Sequence, residues 1–353
     1  MIKKRCLENE YIRKKSQEIG SDPILVERAI FAFDLLSLLI KSKIPLIFKG
    51  GTSLMLLVPE LRRLSIDVDI VTEAENTTLK SAFNTLISES HFKRWDEDKR
   101  STNKEVPKRH FKFYYDSPIA GSELYILLDI LQSVPIFPSI VKKPILHPVF
   151  KVEKEIEVLV PSINSMTGDK ITAFAPKTIG IPYGIGKSME IIKQLYDLGI
   201  LFEYISDLRE VYDSYRNIAR LEAQYRNLDM PVEAFLNDSI ETSFLICQSG
   251  YKGCVDNEET KELKDGIKRI KSHILGGRYS ILQAKEDASK VAFLASMMRD
   301  GRLDVDFEEI RKNRQDLEII KDIYLTDNYS ILNKLKKISP ESFHLLAVAL
   351  NVI

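Results

Sequence analysis

Cysteines are scarce in this chain, and long apolar runs and any excess of charge are absent. The three cysteines, Cys6, Cys247 and Cys254, form no CxxC pair, so a reduced, cytoplasmic setting is expected. The five histidines are scattered without an HExxH motif, which argues against a zinc site. Lys+Arg 51 balance Asp+Glu 51, so any polyanion must be bound by local patches rather than by a global field.

Export and membrane signals are also lacking. The most apolar helix candidate, residues 29–40, is too short to span a bilayer and is interrupted by Asp34. The first residues, Met1 to Arg5, are largely basic and do not lead into an apolar core, so no signal peptide is expected. We therefore expect no association with a membrane.

The patterns that are present predict an α/β domain over residues 1–164 and a helical domain over residues 165–353. Strands are predicted at 44–48, 66–71, 111–116 and 124–130, with an edge strand within 152–160. Helices are predicted at 8–20, 23–41, 52–57 and 77–89. After residue 165 helical patterns dominate, broken near 249–257 and 276–279.

The most informative segment is a glycine turn followed by a strand with two carboxylates. Phe48-Lys49-Gly50-Gly51-Thr52-Ser53-Leu54 predicts a turn that opens a helix, where glycines and main-chain amides accommodate phosphate. Asp67 and Asp69 are two residues apart on a predicted strand, so both leave the same face. Paired carboxylates of this kind suit Mg²⁺ that bridges nucleotide phosphates. The plainer alternative is a tight turn beside a solvated strand.

A third carboxylate, Asp129, ends the apolar run that begins at Leu124. A charge there is costly to bury unless it is paired or bound to a metal. By itself it equally fits a strand-end cap. With Asp67 and Asp69 available, a site of three carboxylates is the favoured interpretation.

Three residues of the helical domain are candidates for contact with a nucleotide. Lys193 and Asp197 lie one helical turn apart, opposite apolar positions, and Lys170 is predicted to open the preceding helix. An ordinary surface pair is the alternative for Lys193 and Asp197. The sequence from Ile181 to Ser188 resembles a P-loop but has Ile181 where glycine is required, so a flexible loop entering a helix is predicted.

Two basic clusters are candidates for a nucleic-acid surface. The first lies within residues 93–112, beside Trp95, Phe111 and Phe113, and includes His110. The second comprises Lys264, Lys268 and Lys271 on a predicted helix. Interspersed acidic residues make a solvated face the commoner explanation for both.

Gly50 to Leu54, together with Arg63-Leu64-Ser65-Ile66-Asp67-Val68-Asp69, resembles the first motif of the AbiEii toxin group, in the DNA polymerase β-type nucleotidyltransferase superfamily. The likeness spans roughly residues 25–210. It implies an α+β fold, with a mixed sheet and flanking helices followed by an all-helical C-terminal domain. Asp129 falls where the superfamily has its third carboxylate, and Lys170 and the run from Lys193 to Asp197 are similar to the family's later motifs.

The resemblance implies a toxin of a toxin–antitoxin or abortive-infection system that transfers a nucleotide from an NTP, with the 3′ end of tRNA as the expected acceptor. Asp67, Asp69 and Asp129 would hold Mg²⁺ or Mn²⁺. Gly50, Gly51, Thr52 and Ser53, with Lys170 or Lys193, would bind the phosphates, and Asp197 would orient the lysine. A cognate antitoxin is implied that need not bind tightly.

Two other classes stay open from the sequence. A nucleotidyltransferase for a small molecule such as an antibiotic would have a narrow acceptor pocket and no basic track. A non-catalytic binding module that retained the fold is disfavoured, because three converging carboxylates are costly without a cation.

Overall fold

The computed structural model describes residues 1–58, 63–98, 107–314 and 316–353. The chain divides into two compact units, which are described separately. Unit 1 comprises Met1–Ser162 with His273–Gly277, and unit 2 comprises Ile163–Ser272 with Arg278–Ile353. Among the described helices, none combines the length and the apolar character needed to cross a membrane.

Unit 1 is a mixed sheet with helices. Its helices are α1 (Asn9–Ile19), α2 (Pro23–Lys41), α3 (Gly50–Leu57) and α4 (Asn76–Glu89), with a 3₁₀ turn at Lys4–Leu7. Its strands are β1 (Ile47–Lys49), β2 (Val68–Thr72), β3 (Arg94–Glu97), β4 (Lys108–Asp116), β5 (Glu123–Gln132), β6 (Ile140–Pro144) and β7 (Glu157–Pro161).

The seven described strands form one sheet in the order β3-β4-β5-β2-β1-β7-β6. β2 pairs with β5 in parallel and β1 pairs with β7 in parallel. The remaining neighbours, β1–β2, β3–β4, β4–β5 and β6–β7, are antiparallel. The sheet is therefore mixed, and β1, β2 and β5 occupy its centre.

Local chemistry explains where the long helix α2 begins and why it is buried. Asp22 caps it, because Oδ1 accepts the amides of Ile24 and Leu25 at 2.8 and 3.1 Å, and Pro23 supplies the first helical φ. The helix packs against β2 and β5 and buries most of its length. Phe31 of α2 stacks on Tyr115 of β4 at 4.0 Å between ring centroids.

The described secondary-structure elements of unit 2 are all helices or 3₁₀ turns. Its helices are α5 (Ile163–Ala173), α6 (Ser188–Leu201), α7 (Leu208–Tyr225), α8 (Val232–Gln248), α9 (Glu258–Arg269), α10 (Ile281–Arg299), α11 (Phe307–Asn313), α12 (Leu317–Ile320), α13 (Leu335–Ile338) and α14 (Pro340–Ala349). Further 3₁₀ turns lie at Ile270–His273 and Asp327–Lys334. α10 packs against α6, α8 and α14 and is buried for most of its length.

The predicted α+β architecture is confirmed, with a mixed sheet followed by helices, but the edge position predicted for the strand within 152–160 is wrong. β7 covers only Glu157–Pro161 and lies between β1 and β6. The sequence of β7 alternates because Val158 and Val160 are buried while Glu157 and Leu159 are exposed. Such alternation indicates that one face of the strand is covered and the other is open, and it does not indicate whether the strand lies at the edge of the sheet. The edge strands are β6 and β3, and neither was predicted.

Candidate active site

The turn between β1 and α3 has the geometry expected of an anion-binding turn. β1 ends at Lys49, and Gly50 begins α3 with φ at +74°, in the left-handed region that favours glycine. The first amides of a helix have no partners within the helix, and they attract anions. The start of α3 therefore offers main-chain N–H groups to a phosphate.

The hydroxyls of this turn serve the fold, contrary to the predicted role of Thr52. Thr52 is buried, and its Oγ1 donates to the main-chain carbonyl of Asp67 at 2.5 Å. Ser53 is also buried and donates to the carbonyl of Gly50 at 2.9 Å. Because each hydroxyl has a single proton, neither is left as a phosphate donor. Thr52 instead ties the turn to the segment that carries the first aspartate.

Gly50 is required by its contact with Asp69. Lys49 and Asp69 are register partners in the antiparallel pair of β1 and β2. A Cβ built on Gly50 would lie 2.1 Å from Oδ2 of Asp69 and 2.8 Å from its Cβ. The turn and the carboxylate are thus in direct contact, and any side chain at position 50 would displace Asp69.

Polar side chains form a row across four adjacent strands on one face of the sheet. Lys49 of β1 pairs with Asp69 of β2, Asp69 pairs with Asp129 of β5, and Asp129 pairs with His110 of β4. Register partners project to the same face, and adjacent strands lie about 4.8 Å apart. Asp67 precedes β2 by one residue. The residues that alternate with the aspartates along β2 and β5 are buried: Val68, Ile70, Leu128 and Ile130. The opposite face of the sheet therefore packs in the core, while this face carries the polar row.

His110 is bound to the third carboxylate. Its Nδ1 lies 2.7 Å from Oδ1 of Asp129. Because a carboxylate only accepts, Nδ1 carries the proton and donates it to that bond. The contact fixes Asp129 through one oxygen and leaves Oδ2 for another partner. The sequence placed His110 in a basic cluster and gave no indication of this pairing, which depends on the register of β4 and β5.

Arg63 supplies a cation at the same turn. It is buried, and its Nη2 would lie 2.6 Å from a Cβ built on Gly51. The arginine belongs to the motif that leads to Asp67, but its side chain had no predicted role. Its position beside the start of α3 places a positive charge where a phosphate would meet the main-chain amides.

The donor set agrees with a magnesium ion held jointly with a substrate. Within residues 1–58, 63–98, 107–314 and 316–353, no three His, Cys, Asp or Glu side chains are arranged to hold a metal by themselves. Mg²⁺, however, usually keeps several waters and binds through one or two carboxylates together with substrate phosphates. Asp69 and Asp129, as register partners, provide carboxylate oxygens of that kind.

The candidate residues of unit 2 differ from their predicted arrangement. Lys170 lies near the end of α5 instead of opening a helix. Its Nζ is 2.9 Å from Oδ2 of Asp197 and 3.0 Å from Oε1 of Gln194. Asp197 is 0 % exposed and Lys170 is 5 % exposed, so this is a buried ion pair.

The prediction that Lys193 and Asp197 face open space together is therefore wrong for Asp197. α6 packs against α5, α9 and α10, so its polar positions also meet other helices. Lys193 itself is half-buried. The role of Lys170 and Lys193 in nucleotide binding stays a prediction.

The loop from Ile181 to Ser188 has no phosphate-binding arrangement in unit 2. Its Gly184 amide donates to Oε2 of Glu262 at 2.8 Å, and Ser188 donates to Asp265 at 2.7 Å. Carboxylates thus accept the hydrogen bonds of the main-chain amide and the hydroxyl that a P-loop would direct at phosphate. The predicted entry of this loop into a helix is confirmed, since α6 begins at Ser188.

Most of the first basic cluster is neutralised where it is described. Ion pairs join Lys93 to Asp116, Arg94 to Asp96 and Glu123, Arg109 to Glu97, and Lys112 to Asp98. Lys99, Arg100 and Lys104 lie outside the described residues. The second cluster is more open: Lys264, Lys268 and Lys271 are all exposed, and Lys264 lies 3.6 Å from Asp256.

The mixed sheet, with its polar row beside the start of α3, is that of a nucleotidyltransferase. More particularly, the family model for the nucleotidyl transferase AbiEii toxin of type IV toxin–antitoxin systems matches residues 36–310, so the chain belongs to that family. A type IV system implies a cognate antitoxin. No curated protein matches the sequence.

Solved structures show weaker similarity. JHP933 from Helicobacter pylori has a TM-score of 0.44 and 13% identity, over 84% of this chain and 99% of that chain. A second H. pylori protein, provisionally described as a nucleotidyltransferase, has a TM-score of 0.44 and 14% identity, over 78% of this chain and 96% of that chain. At these TM-scores and identities, the two solved structures add nothing to the family assignment.

Proposed function

We propose that this toxin transfers a nucleotide from an NTP to the 3′ end of an RNA, with tRNA as the first acceptor to test, in the cytoplasm and with Mg²⁺ or Mn²⁺. The observation that carries the proposal is the contact of Gly50 with Asp69, because it joins a helix start suited to phosphate to a carboxylate suited to a divalent cation. Asp129, beside Asp69 in register, adds a second carboxylate.

In the proposed reaction, the 3′ oxygen of the acceptor attacks the α-phosphorus of the NTP. The bond from that phosphorus to the bridging oxygen breaks, and pyrophosphate leaves. The start of α3 and Arg63 bind the triphosphate. Asp67 and Asp69 would hold Mg²⁺, which when bound neutralises charge on the phosphates. Asp129 accepts the proton of the acceptor hydroxyl through Oδ2, while His110 orients it through Oδ1.

RNA is favoured over a small acceptor by the exposed lysine cluster of α9 and the turn that follows it. Lys264, Lys268 and Lys271 are exposed along that helix and the 3₁₀ turn after it, and such clusters follow a phosphate backbone. The zero net charge of the chain leaves this task to local patches.

The test is incubation of the purified chain with each α-labelled NTP and total RNA, followed by gel and thin-layer analysis. Label in an RNA of tRNA size, dependent on Mg²⁺ and lost in Asp69→Asn, is the expected result. Label only in a small product would favour the small-molecule alternative. If the NTP binds and no label transfers to any acceptor, the proposed transfer is wrong and a non-catalytic module is favoured.

A further inference from the structure

Unit 1 contains a cavity that is separate from the polar row of the sheet. It has a volume of about 600 Å³, within the range of small-molecule sites. Its walls come from α2, from the 3₁₀ turn Lys4–Leu7, from the end of α4 and from the end of β4. The side chains that line it include Ile2, Leu7, Phe31, Asp34, Leu38 and His91.

Asp34 is an unpartnered buried carboxylate at this cavity. Its side chain is 7% exposed, and its nearest ionic neighbour is Nε2 of His91 at 3.7 Å, beyond hydrogen-bond distance. Among the described residues, its carboxylate accepts no hydrogen bond. The amino group of Met1 donates to the carbonyl of Lys154 at 2.6 Å instead. Burial raises the pKa of Asp34 to about 7 against the opposing effect of the Met1 ammonium group, as expected for a buried carboxyl that accepts no hydrogen bond.

The other charges around the cavity compensate Asp34 only in part, because the ammonium group of Met1, which also lines the cavity, lowers the pKa of Asp34 but is outweighed by burial. The acidic lining residues Glu89 and Asp116 already pair with Lys41 at 3.2 Å and with Lys93 at 2.6 Å. Desolvation by the cavity walls lowers the pKa of His91 to about 4 although 34% of its side chain is exposed, so its ring is neutral near pH 7. Lys4 stands exposed at the rim. Of the three acidic residues that line the cavity, Asp34 is thus the one whose charge a cationic ligand would neutralise.

The remaining walls suit an apolar body. Phe31 and His91 meet edge to face, with ring centroids 5.1 Å apart, and Ile2 and Leu38 are buried aliphatic side chains. A carboxylate at depth, surrounded by aromatic and aliphatic walls, is the arrangement that recognises an ammonium group attached to a hydrophobic body.

We propose that this cavity binds a small organic cation, an amine with a compact aromatic or aliphatic body, whose ammonium group donates to the Asp34 carboxylate. Binding supplies the hydrogen bonds that Asp34 lacks. The site lies apart from Asp69 and Asp129 in the sheet and does not depend on nucleotidyl transfer.

The test compares tryptamine with tryptophol on the full chain by isothermal titration calorimetry. The two probes share an indole body and differ in an ammonium group against a hydroxyl. Tryptamine is expected to bind saturably, and tryptophol at least about tenfold more weakly, because a buried charge pair contributes more than a neutral contact. Equal affinities, or no saturable binding of tryptamine, would overturn the proposal.

Two matched variants locate the binding. Asp34→Asn keeps the shape and removes the charge, and it should weaken tryptamine at least about tenfold. It should fold, since it removes an unpaired buried carboxylate, which a thermal melt checks. Asp116→Asn removes a carboxylate of the same cavity that is exposed and already paired, so it should leave affinity unchanged. Equal losses in both variants, or none in Asp34→Asn, would also contradict the site.

Discussion

At the scale of single residues, the chemistry of this protein depends on a few contacts at the start of α3. Gly50 leaves room for Asp69, Thr52 holds the carbonyl of Asp67, and Asp69 lies beside Asp129. None of these groups acts alone, because the turn positions the carboxylates that would share the phosphates with it. Substitutions there should consequently affect activity far more than stability.

Asp69→Asn and Asp67→Asn are each expected to lower nucleotide transfer by about a hundredfold or more, because each removes a ligand charge worth several kcal/mol in the transition state. The melting temperature should stay within a few degrees, since removing one of several neighbouring carboxylates relieves repulsion. Transfer rate and thermal melts are measured on the same preparations. Asp116→Asn, an exposed strand carboxylate paired with Lys93, is the control. Normal rates in both site variants would refute the carboxylate assignment.

His110 is expected to act as a positioning residue for Asp129. His110→Ala removes the 2.7 Å hydrogen bond and should lower kcat by about tenfold or more, as for other residues that orient a ligand. The KM for NTP should change little. His110→Asn retains an N–H donor and should restore part of kcat. A kcat that is normal in His110→Ala, or equally low in both variants, would argue against positioning through this bond.

The sequence predicted the aspartates and the glycine turn but not the partners that organise them. Two carboxylates two residues apart in an extended segment share a face, so the pairing of Asp67 with Asp69 was predictable from spacing, although Asp67 lies just before β2. The pairing of His110 with Asp129 depends on how β4 and β5 are aligned across the turn at residues 117–122. Register of that kind is set by tertiary packing, and no local pattern encodes it.

At the scale of elements, α6 shows why amphipathic patterns mislead inside a helical unit. Its polar positions predicted an open face, but α5, α9 and α10 all pack against it. Asp197 is buried, and it is tolerated there because Lys170 of α5 neutralises it at 2.9 Å. Periodicity distinguishes polar from apolar positions, yet it cannot tell a solvated charge from one that is paired inside the fold.

Breaking this pair from either side should destabilise the chain strongly. Lys170→Ala or Asp197→Ala leaves an uncompensated buried charge and should cost about 3–5 kcal/mol of unfolding free energy. The double variant Lys170→Met with Asp197→Leu should cost much less, because it removes both charges together. Urea denaturation measures all of them. Single variants with near-normal stability would show that the pair is not buried as described.

Lys193→Ala is the matched control on the same helix, since Lys193 is half-buried and its removal leaves the Lys170–Asp197 pair in place. A normal melting temperature with abolished transfer would support its predicted role at the phosphates. Normal transfer would remove Lys193 from the nucleotide site.

At the scale of the whole molecule, a half-buried histidine, His147, links stability to pH. Burial lowers the pKa of His147 to about 4, from an ordinary value of 6.5. The ring accepts the Val149 amide at 3.2 Å and stacks on Phe33. Between these two pKa values the unfolded chain binds the proton more readily, so the stability from His147 is present above pH 6.5 and is lost as the pH falls towards 4.

This contribution should reach up to about 3 kcal/mol. His147→Phe should reduce the difference in unfolding free energy between pH 7.5 and pH 5, whatever it does to stability at either pH alone. Urea melts of both proteins at the two pH values give that double difference. An unchanged difference would mean that the folded chain does not hold His147 as a neutral ring.

The charge distribution of the whole chain determines where an RNA acceptor could bind. The chain has no net charge, so affinity for RNA must come from a patch, and Lys264, Lys268 and Lys271 are its exposed candidates in unit 2. Replacing all three by Glu should raise the KM for RNA by about tenfold or more while leaving the KM for NTP unchanged. The salt dependence of RNA binding should become shallower, by about 0.7 in logarithmic slope for each RNA phosphate that the protein no longer neutralises. Replacing all three by Arg keeps the charge and should keep the wild-type KM. If the Glu variant also keeps that KM and its salt slope, RNA does not bind along this helix, and the acceptor must be bound elsewhere on the chain.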